Sequence, residues 1–119
     1  MSKYTDVYLL PINEEKVAEY KKLASHAGKI FVKHGALKYR EYVASDMAAE
    51  GIVGFPKALK LKPGETVVYA AVEFKSEAHR NKAMKKIFDD PALGVLGNGK
   101  GIFDFRRMVY GGFKVIVDL

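Results

Sequence analysis

Three histidines are the side chains in this sequence best suited to acid–base catalysis or metal binding near neutral pH. They are His26, His34 and His79, and no two of them have the i, i+4 spacing of a helical zinc site. His34 is the strongest candidate of the three, because it falls at the end of a predicted helix beside its apolar stripe. A histidine in a last helical turn is also favoured by the negative helix end. We therefore keep His34 as a candidate site residue and expect no metal.

Two further positions carry groups that could act on a ligand. Asp46 follows a predicted strand and is a candidate general base, although an aspartate often simply begins a loop. Arg106 and Arg107 fall in the predicted last strand, which would put one guanidinium on each face of a sheet. One of them could bind an anionic ligand, or form an ion pair across an interface.

Tyrosines occur in two strand-like segments, residues 7–12 and 67–74, where alternate side chains point to opposite faces. The pattern groups Tyr8 with Asp6 in the first segment, and Tyr69 with Glu73 in the second. We expect these four side chains to share one face of a sheet. RNA on that face would make the protein a binding module, whereas a second copy of the chain would make it an obligate dimer.

The RNA alternative depends on similarity to the RNA-recognition motif, which has a set pattern of aromatics in its third strand. Tyr69 and Phe74 meet aromatic positions of that pattern. Ala71 stands where the second stacking aromatic belongs, and Asp6 and Glu73 would repel phosphates. An RNA-binding module using the Tyr8/Tyr69 face is therefore the alternative rather than the main hypothesis.

In the dimer hypothesis the same face is buried in an interface between two copies of the chain. Aromatic and arginine side chains are enriched in such interfaces. Carboxylates would then pair with arginines there. The expected carboxylates are Asp6, Glu73 and Glu41, and the expected arginines are Arg40, Arg106 and Arg107.

The elements that must position these residues follow the order β-α-β-β-α-β, the ferredoxin-like α+β arrangement. Such an antiparallel sheet has helices on one face, and its other face must be solvated, bind a ligand or pack on a partner. A long helix follows Asn13, a second follows Ser76, and a short one follows Asp90-Pro91. The strands are predicted at Tyr4–Leu10, Ala36–Ser45, Thr66–Lys75 and Phe103–Tyr110, with an irregular edge strand at Ile52–Leu61.

Composition limits the classes of function. The 119 residues suit one domain spanning 1–119, and the formal net charge of +6 comes mostly from lysine, the commoner solubilising cation. There is no cysteine, which excludes disulfides, thiolate catalysis and cysteine-ligated clusters. No transmembrane stretch or signal-peptide pattern is present, so we expect a cytoplasmic protein. We also expect no cofactor.

The run from Phe105 to Phe113, followed by Val115–Asp118, resembles the C-terminal signature of the uncharacterised YbaA-like family. Segments 4–6, 34–37, 44–46, 55–58 and 62–68 agree in the same order, so the resemblance spans nearly the whole chain. It implies a dimeric α+β barrel in which two ferredoxin-like sheets face each other. It implies no settled activity, although related barrels include cofactor-independent monooxygenases and haem-handling enzymes.

We therefore expect a homodimer with a small-molecule pocket between sheet and helices, lined by tyrosines such as Tyr8, Tyr39, Tyr69 and Tyr110. The pocket would support a cofactor-independent oxygenation or merely hold a ligand. A dimer that acts only through protein contacts is a further hypothesis. The residues expected to line the pocket or the dimer face are Tyr8, His34, Tyr39, Asp46, Tyr69, Glu73, Arg106 and Tyr110.

Overall fold

A computed structural model describes residues 3–119 of the chain. Strand β1 spans Tyr4–Asn13, and a 3₁₀ turn at Glu14–Lys16 leads into helix α1 at Val17–Lys33. The remaining elements are β2 (Lys38–Val43), α2 (Phe55–Ala58), β3 (Glu65–Phe74), α3 (Glu77–Asp89), α4 (Pro91–Leu96), a 3₁₀ turn (Phe105–Arg107) and β4 (Val109–Lys114).

The four strands form one antiparallel sheet in the order β2-β3-β1-β4. This order and the two main helices confirm the predicted ferredoxin-like α+β class. Side-chain caps fix where the first 3₁₀ turn and α3 begin: Asn13 accepts from the amide of Glu15 at 2.9 Å, and Ser76 accepts from the amide of His79 at 3.1 Å.

The core lies between the sheet and the helices. Phe74, Val72 and Leu10 contribute fully buried strand side chains, and Ile30 of α1 and Ile87 of α3 pack in the same layer. We call this side of the sheet the helix face. The opposite side, which bears Leu9, Tyr42 and Tyr69, is called the open face.

The strand register corrects the predicted tyrosine face. Tyr8 is paired with Ala70, whereas Tyr69 is paired with Leu9. Because directly paired residues lie on the same side of an antiparallel sheet, Tyr8 is on the helix face and Tyr69 is on the open face. The alternation within each strand was predicted correctly. The error was to place the side of β3 that bears Tyr69 on the same face of the sheet as the side of β1 that bears Tyr8.

Two predicted strands were also wrong. Residues 103–108 are not a strand, because Asp104 accepts from the Arg106 amide at 3.1 Å and begins a 3₁₀ turn. In the segment Ile52–Leu61 the structure has α2 instead of an edge strand, with Pro56 in its first turn.

Two consecutive glycines, Gly111 and Gly112, lie within β4 and pair with Val7 and Asp6 of β1. A Cβ at Gly112 would overlap the hydroxyl of Tyr4, so this strand position has no room for a side chain. Among the described residues, no helix is both long enough and apolar enough to cross a membrane.

Candidate ligand-binding groove

A groove of about 870 Å³ lies between α1 and the edge strand β2, on the helix face. Its volume is within the range of pockets that bind small organic molecules. The surface of the walls is mainly apolar, and its aliphatic side chains are Val17, Ala24, Val32, Val43 and Val68. The groove is therefore an apolar site that needs few polar groups to orient a ligand.

The main polar feature inside the groove is the carboxylate of Glu41, which receives hydrogen bonds from two tyrosines. Tyr20 of α1 donates its hydroxyl to one carboxylate oxygen, and Tyr39 of β2 donates to the other. Tyr39 and Glu41 are two residues apart on one strand, so their side chains project on the same side. Both oxygens of Glu41 are thereby fixed by elements on either side of the groove.

Burial raises the pKa of Glu41 above its ordinary value, and the two tyrosine hydrogen bonds only partly oppose this effect. Burial, followed by the neighbouring Glu41 charge, also raises the pKa of Tyr20 and of Tyr39. No cation pairs with Glu41 among residues 3–119. The groove therefore contains a largely buried, uncompensated acid that can accept a hydrogen bond or a proton from a ligand.

Gly28 of α1 fixes the position of the Tyr39 ring. A Cβ at Gly28 would lie 2.7 Å from Cδ1 and 2.9 Å from Cε1 of Tyr39. The ring also contacts Phe31 of α1, with ring centroids 5.4 Å apart. The glycine thus allows the ring to lie against the helix, with its hydroxyl directed to Glu41.

A second carboxylate cluster lies on the helix face away from the groove. Asp6 is fully buried and accepts from Nε of Arg80 at 3.0 Å and from the hydroxyl of Tyr110 at 2.9 Å. Arg80 also contacts the Tyr110 hydroxyl, and its guanidinium lies 5.3 Å from the centre of the Tyr4 ring. The charge of Asp6 is compensated by Arg80, and the cluster does not line the groove.

The structure separates the four tyrosines that were expected to line one pocket. Tyr39 lines the groove, whereas Tyr8 and Tyr110 stack on each other beside the second cluster with centroids 4.9 Å apart. Tyr69 contacts Tyr42 on the open face, at a centroid distance of 5.5 Å. A pocket made by all four tyrosines is therefore wrong, and so is a stacking platform made by Tyr8 and Tyr69.

The other predicted site residues are dispersed. His34 lies 2.8 Å from Asp90, at the junction of α1 and α4. Asp46 accepts from the amide of Ala48 at 3.0 Å, as expected of a loop-initiating aspartate. It also borders a shallow depression of about 380 Å³ that includes Tyr69.

Among residues 3–119, none of the expected carboxylates Asp6, Glu41 and Glu73 pairs with Arg40, Arg106 or Arg107. Glu73 pairs with Lys3 at 3.2 Å on the open face. Arg106 pairs with Asp104 at 3.2 Å and is 89% exposed. Arg107 forms a two-pronged pair with Glu65, at 2.6 and 2.9 Å.

Sequence reasoning did not identify Tyr20 as a site residue, and it placed Glu41 among the carboxylates of the dimer face. Glu41 alternates with Tyr39 and Val43 along its strand. An acid on an inward-facing side is the signal that could have been used. Within residues 3–119 there is no group of three or more side chains able to hold a metal ion.

Solved structures with this fold include dimeric ferredoxin-like proteins. One, from an uncultured marine organism, is 11% identical with a TM-score of 0.61, and each chain is covered in full. SnoaB, a cofactor-independent oxygenase from Streptomyces nogalater, is 12% identical with a TM-score of 0.59, covering 100% of this chain and 98% of SnoaB. At these identities the likeness shows the fold alone.

The model of the family described as "Protein of unknown function (DUF1428)" matches residues 3–105, and the chain belongs to this family. It is similar to the uncharacterized protein YbaA of Escherichia coli strain K12, with 34% identity over 116 residues, 98% of each chain. The YbaA-like resemblance is therefore confirmed, and the family brings no assigned activity.

Proposed function

We propose that this protein is a homodimer that binds a small organic molecule in the groove between α1 and β2. The observation that supports the proposal is the Glu41 carboxylate, held by Tyr20 and Tyr39 within a mainly apolar groove. A few fixed polar groups in an apolar cavity are typical of ligand sites. The proposal is limited to binding, because no histidine or second carboxylate lines the groove within residues 3–119.

The homodimer is proposed because the open face of the sheet is rich in exposed apolar side chains. This face exposes large apolar side chains on three strands: Tyr42, Tyr69, Val109 and Phe113 are between 38% and 57% exposed. A contiguous apolar surface on one side of a sheet is typical of an interaction site. Two of the solved structures with a similar fold are named as dimeric ferredoxin-like proteins, which favours a second copy as the partner.

The groove is tested by filling it. Val32 lines the groove and is 53% exposed, so Val32→Trp should occupy the cavity without disturbing the core. We expect compounds from a library of small organic acids and phenols to raise the melting temperature of the wild type by several degrees, and to lose this effect in Val32→Trp. Val95→Trp, at an exposed valine of α4 that does not line the groove, is the matched control.

Equal responses of the wild type and Val32→Trp would place the binding elsewhere. A library that stabilises neither protein would remove the ligand-binding proposal.

The dimer is tested by the solution mass from light scattering. Phe113→Glu puts a charge on the open face and should convert a salt-resistant dimer into a monomer. Phe88→Glu changes an exposed phenylalanine of α3 on the other side of the molecule and should leave the dimer intact. A wild-type monomer that gains mass with a short mixed RNA would replace the homodimer by the nucleic-acid alternative.

A further inference from the structure

The rim of the groove is positively charged on the α1 side. Lys21, Lys29 and Lys33 all line the groove and are exposed to solvent. Lys33 lies 3.5 Å from Asp90, but Lys21 and Lys29 form no ion pair with any residue between 3 and 119. Exposed lysines along the mouth of a cavity attract anions.

The interior of the groove has the opposite hydrogen-bonding character. A carboxylate has about four acceptor positions, and Tyr20 and Tyr39 occupy two of those on Glu41. Their hydroxyl protons are committed to Glu41, so neither tyrosine has a donor left for a ligand. The Glu41 carboxylate inside the groove therefore accepts hydrogen bonds, whereas the lysines of the rim supply positive charge.

We propose that the ligand is an amphipathic organic acid with a hydroxyl or N–H donor remote from its anionic group. The anion lies at the lysine-lined rim beside Lys29, an apolar body contacts the apolar walls, and the donor binds Glu41. This assignment rests on the proposed function, since it names the class of ligand for the same groove.

Other ligand classes match fewer of these features. A small inorganic anion would leave the aliphatic walls uncovered. A neutral apolar compound would leave the buried acceptor of Glu41 unpaired, which costs binding energy. An organic cation would suit Glu41 but would be repelled by the three lysines on α1.

Three related naphthalenes separate the contributions of the anion and the donor. The probes are 6-hydroxy-2-naphthoate, 6-methoxy-2-naphthoate, which lacks the donor, and methyl 6-hydroxy-2-naphthoate, which lacks the anion. We expect the hydroxy acid to bind the full-length wild-type protein about tenfold more tightly than either analogue, as one charge-assisted contact allows. Binding of both acids should weaken between about 50 and about 500 mM salt, whereas binding of the ester should not.

Variants assign each preference to its residue. Lys29→Gln should weaken both acids severalfold and leave the ester unchanged, and Glu41→Gln should reduce the advantage of the hydroxyl over the methoxy compound. Lys85→Gln, at an exposed lysine of α3 outside the groove, is the control and should change nothing.

Equal affinity for the three probes, abolished by Val32→Trp, would overturn the ligand class but leave the groove as the binding site. Absence of binding by the hydroxy acid would also overturn the ligand class. If the compounds of the wider library stabilise the wild type and Val32→Trp equally, or stabilise neither, that result would instead contradict the proposed function itself. The two failures are therefore distinguishable.

Discussion

Two carboxylates on the helix face are held by tyrosine hydroxyls, but their environments differ. Asp6 is fully buried and is paired with Arg80, in a cluster that lines neither described cavity. Glu41 receives two tyrosine hydroxyls and, among residues 3–119, pairs with no cation, and it lines the largest described groove. A carboxylate neutralised by arginine has its hydrogen-bonding capacity used within the fold. A carboxylate without a cation, with a raised pKa and open to a groove, is the better candidate for a functional group.

The largest expected effect comes from breaking the compensated cluster. Arg80→Met would leave Asp6 buried without its cation, and we expect a loss of about 3–5 kcal/mol in the free energy of unfolding. Urea denaturation near neutral pH measures it. Arg106→Met removes an arginine whose side chain is 89% exposed and should change the free energy of unfolding by less than about 0.5 kcal/mol. Equal small losses in both variants would show that Asp6 and Arg80 do not contribute as a buried pair.

The next effect concerns the geometry of the Glu41 cluster rather than its charge. Gly28→Ala should displace the Tyr39 ring and cost about 1–2 kcal/mol, even though alanine is favoured by about 1 kcal/mol in a helix. Gly94→Ala in α4 has open space around its new Cβ and should be neutral or stabilising. Thermal unfolding of both variants provides the comparison. In a Tyr39→Ala background the cost of Gly28→Ala should disappear; its persistence would show that the ring is not what the glycine accommodates.

A smaller effect, defined by its pH dependence, is expected from neutralising Glu41. Its pKa is raised in the folded protein, so its contribution to stability is greatest below the unfolded pKa and declines as pH rises through the folded pKa. Glu41→Gln should therefore gain stability relative to wild type as pH rises above the ordinary glutamate pKa of about 4.3, as followed by urea denaturation across that range.

Glu65→Gln is the control with the opposite sign. The hydrogen bond from Arg107 lowers the pKa of Glu65, so its contribution is present above the unfolded pKa and is lost as pH falls. Relative to wild type, this variant should lose stability as pH rises from the acid range towards the ordinary glutamate pKa of about 4.3, and should change little above it. Parallel slopes for the two variants would contradict the distinction between compensated and uncompensated carboxylates.

The smallest effect is expected at Asp90, which joins the end of α1 to the start of α4. The hydrogen bond with His34, followed by that from the Ala92 amide, lowers the pKa of Asp90 to about 2. Its stabilising contribution is present above the ordinary aspartate pKa and is lost as pH falls from about 4 towards about 2. The stability difference between wild type and Asp90→Asn, followed by acid unfolding, should close over that range. A constant difference would show that the carboxylate charge does not act there.

The positions of α1, α3, α4 and the central strands could be predicted because their signals are local. Caps such as Asn13 and Ser76, and the periodicity of α1, depend on neighbouring residues alone. The strand prediction for residues 103–108 was wrong for a local reason too, because Asp104 caps a 3₁₀ turn within this strand-like segment.

The candidate site could not be predicted, because it depends on contacts between distant parts of the chain. Alternation shows which residues of one strand share a face, but the strand register decides which faces of two strands coincide. The pairing of Tyr8 with Ala70 thus put Tyr8 and Tyr69 on opposite sides. The contact between Tyr20 and Glu41, 21 residues apart, exists only once α1 packs against β2.

The contact between Gly28 and the Tyr39 ring has a consequence for sequence variation within the family. A relative with a larger residue at position 28 has no room for tyrosine at position 39, so the two positions are expected to vary together. Losing that tyrosine would also remove one hydrogen bond from the carboxylate at position 41. A survey of these three positions could therefore separate relatives that keep the chemistry of the groove from those that keep only the fold.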